Sequence, residues 1–149
     1  MRIAGICSHD VACIEAEASV RRAATEMRRH HAGCLVVVDP RDTERIPRGI
    51  LTDRDIVVEV IAPGIDPESV TVREVMAHPP VTCREDDKLL DAIETMRLHG
   101  VRRLPVVGVR GQLVGVVSAD DIFAALGTCL RELWQAGSRG IAREIETRS

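Results

Sequence analysis

Gly49-Ile50-Leu51-Thr52-Asp53-Arg54-Asp55-Ile56 organises the chain, and it occurs twice, the second time as Gly115-Val116-Val117-Ser118-Ala119-Asp120-Asp121-Ile122. Each copy reads as a short apolar strand ending on a hydroxyl residue, with Asp three places later and an apolar helix beyond. Thr52 or Ser118 at the N-cap takes a hydrogen bond from a free N–H of the first turn, and Asp55 or Asp121 at the third helical position completes a capping box. A strand that runs straight into a helix start also presents unpaired N–H groups and the positive end of the helix dipole, which suits a phosphate. Capping explains both motifs by itself. Whether a ligand uses the same groups is a separate question.

Outward from this motif the duplication extends over most of the chain. A shift of 69 places brings His9 onto His78, Ala23 onto Ala92, Met27 onto Met96, and Leu35, Val37 and Val38 onto Leu104, Val106 and Val107. Beyond the longer first loop, Asp39 to Arg48, the shift becomes 66 and Asp55 meets Asp121. Each copy follows a β-α-β-β-α order. A short strand (Ala12 to Ile14; Val81 to Cys83) precedes an acidic, cap-like stretch (Glu15 to Ser19; Glu85 to Asp87). Then comes an amphipathic helix whose apolar positions are Val20, Ala23, Ala24 and Met27 in one copy and Leu89, Ala92, Ile93 and Met96 in the other. Two β-branched strands follow, Leu35 to Val38 with Gly49 to Leu51, and Leu104 to Val107 with Leu113 to Val117. The closing helices are expected over Asp53 to Ile61 and Ala119 to Leu126.

This grammar resembles the CBS domain, a family in which two copies occur in tandem as a Bateman module. The likeness covers about Ile3 to Leu126 and rests on the paired motif, on Val101-Arg102-Arg103-Leu104-Pro105-Val106-Val107 and on Val72-Arg73-Glu74-Val75-Met76. It implies an α/β (α+β) fold of two repeats packed with pseudo-two-fold symmetry. The expected divisions are residues 1–62 for the first repeat, 63–70 for the linker (Ala62-Pro63-Gly64-Ile65-Asp66-Pro67 carries its turn signals), 71–127 for the second repeat and 128–149 for a C-terminal helical tail. In the tail, Leu126, Leu130, Leu133, Trp134, Ile141 and Ile145 fall on one face of a further helix interrupted at Gly137-Ser138 and Gly140. That face either packs on its own module or helps to join two modules.

Composition narrows the function classes. A hydrophobic content of 45% beside 29% charged residues is that of a globular chain that needs no membrane. Aromatic residues make up 1%, Phe123 and Trp134 alone, so no stacking platform for nucleic acid exists, and a net charge of −3 argues against a general phosphate-backbone binder. Met1 to Asp10 lacks the apolar run of a signal peptide, so a cytoplasmic protein is expected. Five cysteines, Cys7, Cys13, Cys34, Cys83 and Cys129, are odd in number and lie mostly in apolar contexts, which favours reduced thiols.

No nucleophile–base spacing, P-loop or H-E-x-x-H element is present, so no enzyme is expected. Cys7, His9 and Cys13 with His30, His31 and Cys34 match no closed zinc spacing, and the repeat aligns several of them with ordinary core or strand positions; no metal is expected. The resemblance implies ligands in the cleft between the copies, with Asp on ribose hydroxyls, the hydroxyl residue toward phosphate and apolar backbone edges around adenine. Carried over by matching residues, the first cleft comprises Ile50, Thr52, Arg54, Asp55, Met76, Val81, Val101, Arg102, Arg103 and Pro105. The second comprises Val116, Ser118, Asp121, Cys7, Ala12, Ala32, Gly33 and Cys34. Gly33 and Cys34 stand where the other copy has two arginines, so the first cleft is expected to bind the more tightly.

The function implied is a non-catalytic, energy-sensing regulatory module. It needs no cofactor, takes AMP, ADP or ATP as regulatory ligand, forms a homodimer and signals to an effector protein that the sequence does not name. The alternative is a constitutive assembly module with empty clefts.

Overall fold

The computed structural model describes residues 1–148. Two three-stranded sheets form its frame. In the first, β1 (Cys13–Ile14) lies parallel to β2 (Cys34–Val37), which pairs antiparallel with β3 (Gly49–Thr52). In the second, β4 (Cys83–Arg84), β5 (Arg103–Val107) and β6 (Leu113–Ser118) repeat that order, with Leu104 opposite Val117 and Pro105 opposite Val116. The middle strand of each sheet is a continuous apolar run because both of its faces are covered: Leu35, Val36 and Val37 are fully buried, as are Leu104, Pro105 and Val106.

The helices follow from their caps and spacing. α1 (Val20–His30) starts at Ser19, whose hydroxyl accepts the Arg22 N–H at 3.1 Å, and buries Val20, Ala23 and Met27. It ends where His31 turns left-handed at φ 51°. α2 (Asp53–Ile56) runs on through a π-turn over Val57–Ile61, so the expected Asp53–Ile61 helix is present. A short α3 (Val72–Val75) opens on a Thr71/Glu74 capping box. α4 (Leu89–His99) repeats α1 and stops at Gly100, φ 64°. Among the described residues no helix is long and apolar enough to cross a membrane.

Two features differ from the reading of the sequence. First, the repeats are contiguous along the chain, but their packing exchanges leading segments. Ile3 is fully buried in the core of the second repeat, with Cys83, Leu89, Leu104 and Val117. Its N–H donates to the Asp87 carbonyl at 3.0 Å, and the Leu89 N–H donates to the Met1 carbonyl at 3.1 Å. Conversely, Val72 is buried in the first core and donates to the Ala18 carbonyl at 2.8 Å, while Val20 donates to Val70 at 2.8 Å. Second, the C-terminal segment is not broken at its glycines: α5 is one helix over Ala119–Arg148. A helical glycine costs about 1 kcal/mol relative to alanine but keeps its backbone hydrogen bond, so Gly137 and Gly140 weaken this helix without ending it.

Because Ile3 fills the second core, Ile3→Ala is expected to lower unfolding stability by roughly 2–5 kcal/mol, the range for a buried aliphatic residue. Urea denaturation of the variant beside the wild type measures this.

Candidate functional site

Both capping boxes form. At the end of β3 the Thr52 N–H donates to Asp55 Oδ2 at 2.8 Å, and the Asp55 N–H donates to Thr52 Oγ1 at 3.1 Å. At the end of β6 the Ser118 N–H and hydroxyl both donate to Asp121 Oδ2 at 2.7 Å, and the Asp121 N–H returns to Ser118 Oγ at 3.1 Å. All four residues are half-buried. Two differences separate the copies. The Ser118 hydroxyl proton is used on its own Asp, whereas among the described residues the Thr52 hydroxyl proton has no acceptor. Oδ1 of Asp55 likewise has no donor there, so both groups remain open to a hydrogen bond.

Arg103 brings the two repeats together. A Cβ built on Gly33 would lie 2.8 Å from Arg103 Nη2 and 3.2 Å from Asp53 Oδ2. The guanidinium therefore reaches from the second repeat to the first and rests over Gly33, beside the residue that follows Thr52. A side chain at position 33 would have to displace the tip of the guanidinium from this place. The Cys34 thiol registers the same neighbours: burial pushes its pKa up, the Arg103 charge opposes this and Asp53 adds to it. Arg102 stays on its own repeat, 3.8 Å from Asp120 and largely exposed. Arg54 is exposed, and among the described residues it forms no side-chain ion pair. Gly33, expected in the second cleft, thus lies against an arginine expected in the first, and the Cys34 thiol feels the charge of the same arginine.

The apolar edges are more closed than expected. Ile50 exchanges both backbone hydrogen bonds with Ala77 (2.9 and 3.1 Å), and Val116 does the same with Ser8 (both 2.9 Å). The outward N–H and carbonyl of Ile50 and of Val116 are therefore already paired. Met76 packs against Gly49 and Cys7 against Gly115, so closely that a Cβ on either glycine would meet sulfur at 2.6 and 3.0 Å. The N–H groups of Val101 and Ala32 close their helices onto Met96 (3.1 Å) and Met27 (2.9 Å).

One backbone difference between the copies does leave a group open. The Ala12 carbonyl accepts the Val36 N–H at 3.0 Å. In the second repeat Pro105 stands in the place of Val36 and has no N–H, so the matching Val81 carbonyl has no donor among the described residues. Val81 is half-buried and packs against the core of the second repeat. This asymmetry was present in the sequence as Val36 against Pro105, but only the register gave it meaning.

A cavity of about 750 Å³ lies at the other end of the first sheet, lined by Glu17, Val37, Asp39, Arg41, Arg73 and Met76 among others; of the expected cleft residues it includes Met76 alone. Its arginines are already engaged: Arg73 bonds Glu17, and Arg41 grips Asp39 so firmly that the carboxyl pKa falls to about 2. Cys7 Sγ is 4.0 Å from His9 Nε2, while Cys13 meets Arg45 Nη2 at 2.8 Å. Among the described residues no group of three or more His, Cys, Asp or Glu is placed to hold a metal ion.

A family model described as "CBS domain" matches residues 3–62 and 72–128, and the chain belongs to that family. An uncharacterized protein of Methanopyrus kandleri is 39% identical over 99 residues, which span 66% of this chain and 49% of that protein, so the match covers about half of that relative's length. Hypoxic response protein 1 of Mycobacterium tuberculosis is 34% identical over 112 residues, 75% of this chain and 76% of that one. A crystal structure of Hypoxic Response Protein I with two coordinated zinc ions has a TM-score of 0.72 at 31% identity, covering 83% of this chain and 98% of that chain. A CBS domain protein of Pyrobaculum aerophilum complexed with AMP has a TM-score of 0.76 at 26% identity, covering 86% of this chain and 99% of that chain.

Burial also sets the order of thiol reactivity. Cys83 is pushed up to about 12, chiefly by burial and secondarily by the Asp87 charge, whereas Cys129 is exposed. At pH 8, alkylation followed by mass spectrometry is expected to modify Cys129 first and Cys83 only on unfolding. The folded state holds the Cys83 proton after the unfolded chain has released it near 9, so this contribution to stability is complete below that pH and is lost as pH rises toward about 12.

Proposed function

We propose that the chain is a non-catalytic regulatory module that binds an adenosine nucleotide of the AMP or ATP type where its repeats meet, and signals through a homodimer to a partner protein. The observation that carries this reading is the convergence at the end of β3: the Arg103 guanidinium crosses to Gly33 and Asp53 beside a Thr52–Asp55 cap whose hydroxyl and second carboxylate oxygen remain open. A ribose diol suits the Asp55 oxygen, and a phosphate suits the guanidinium. The relative from Pyrobaculum aerophilum, complexed with AMP, supports the ligand class.

The first cleft is the tighter of the two in this reading. Thr52 still has a proton to donate, Ser118 does not, and the Val81 carbonyl is open to the exocyclic amine of adenine whereas that of Ala12 already accepts the Val36 N–H. Ligand-dependent stabilisation of one arrangement of the repeats over another supplies the signal. An assembly module with empty clefts is the competing reading.

A thermal-shift panel with AMP, ADP and ATP separates the two. A ligand at a hundred times its dissociation constant adds about 2.7 kcal/mol to stability, and no shift with any of them favours assembly. In calorimetric titrations Asp55→Ala is expected to weaken AMP at least tenfold, and unchanged affinity removes the assignment. Pro105→Val, which restores the N–H that Val36 has, is expected to weaken AMP about tenfold, the effect of one hydrogen bond of about 1.4 kcal/mol, and to leave inosine monophosphate, which has no amine, unaffected.

A further inference from the structure

From Gly127 onward every described residue of α5 is exposed, including Leu130 (67%), Leu133 (70%), Trp134 (78%) and Ile141 (64%). Leu130, Leu133, Trp134 and Ile141 thus present their side chains to solvent. Its spacing is symmetric. Leu126, Leu130, Trp134, Gly137, Ile141 and Ile145 are separated by steps of four, four, three, four and four residues, the same read in either direction. At about 100° per residue these six positions stay within an arc of roughly 100°, so they form one straight stripe.

We propose that this stripe pairs antiparallel with the same stripe of a second copy, about a two-fold axis between Gln135 and Ala136. That register places Leu126 against Ile145, Leu130 against Ile141 and Trp134 against Gly137, each pair occurring twice. Sizes are complementary at the centre. The bulky Leu133 and Trp134 of one helix meet the Gly137, Ser138 and Gly140 of the other. A groove of about 470 Å³ lined by Leu130, Leu133, Trp134, Gly137, Ser138 and Ile141 already marks the notch that receives the indole. A parallel pairing would set indole on indole and glycine on glycine.

The area is sufficient. At roughly 100 Å² for each aliphatic side chain and 200 Å² for the indole, Leu130, Leu133, Trp134 and Ile141 bury on the order of 500 Å² per helix. The pair thus reaches about 1,000 Å² before its ends are counted, the threshold for a specific interface. Phe123 and Leu126 continue the apolar surface into the groove beside α4, formed with Ile93, Met96, Val101 and Ile122. The inference does not depend on nucleotide binding.

The single tryptophan gives a direct readout. In the full-length protein, Trp134 emission is expected to shift to the blue as concentration rises. Gly137→Leu, which fills the notch while improving helix propensity, is expected to raise the midpoint of that shift at least tenfold. In a Cys129→Ser background, Leu130→Cys and Ile141→Cys chains are expected to form a disulfide when mixed and neither alone. Emission that stays solvent-exposed at all concentrations overturns the proposal, as does shielding only on addition of phospholipid vesicles or another protein. Cross-linking of Leu130→Cys with itself overturns the antiparallel register.

Discussion

The constraint on which the structure depends is that neither half closes its own core. Ile3 arrives from the leading segment of the first repeat to complete the second, and Val72 arrives from the leading segment of the second to complete the first. Each is held by backbone hydrogen bonds to the stretch leading into the helix it covers. Each segment then runs on to add an edge bridge, Ala77 on Ile50 and Ser8 on Val116. A repeat excised at its sequence boundaries would lose a fully buried side chain and a sheet edge together. The two halves are therefore one folding unit, and the junction between them has a fixed geometry.

That fixed junction explains the placement of Arg103. Two equivalent strand entries face each other there, one beginning at Cys34 and the other at Arg103. Had both carried long cationic side chains, they would collide and repel at the pseudo-two-fold axis. With Gly33 and Cys34 on one side, a single guanidinium occupies the space and faces groups of both repeats. The duplication thus keeps its backbone symmetry while giving up side-chain symmetry where charge is concentrated.

Much of this was legible in the amino acids. The repeat, the element order and both capping boxes follow from the spacing of Thr52 and Asp55, Ser118 and Asp121, and the apolar positions of α1 and α4. The alignment of Ile3 with Val72 was also visible, but not which core each one enters, because a one-dimensional match carries no information on exchange. The closure of the Ile50 and Val116 edges depends on pairing with residues far away in sequence. The glycines of the tail point to interruptions of its helix, whereas a residue that weakens a helix need not break it. That the Arg103 guanidinium lies against Gly33 was not legible, because matching residues between repeats takes no account of the reach of a long side chain.

The Ser118–Asp121 cap is also the root of α5, whose thirty residues extend about 45 Å. Such a rod acts as a pointer. A tilt of about 5° in its first turn carries the far end roughly 4 Å, while the sheet beneath need barely change. A small rearrangement at the base of the second repeat is thereby magnified into a displacement large enough for a distant surface to register.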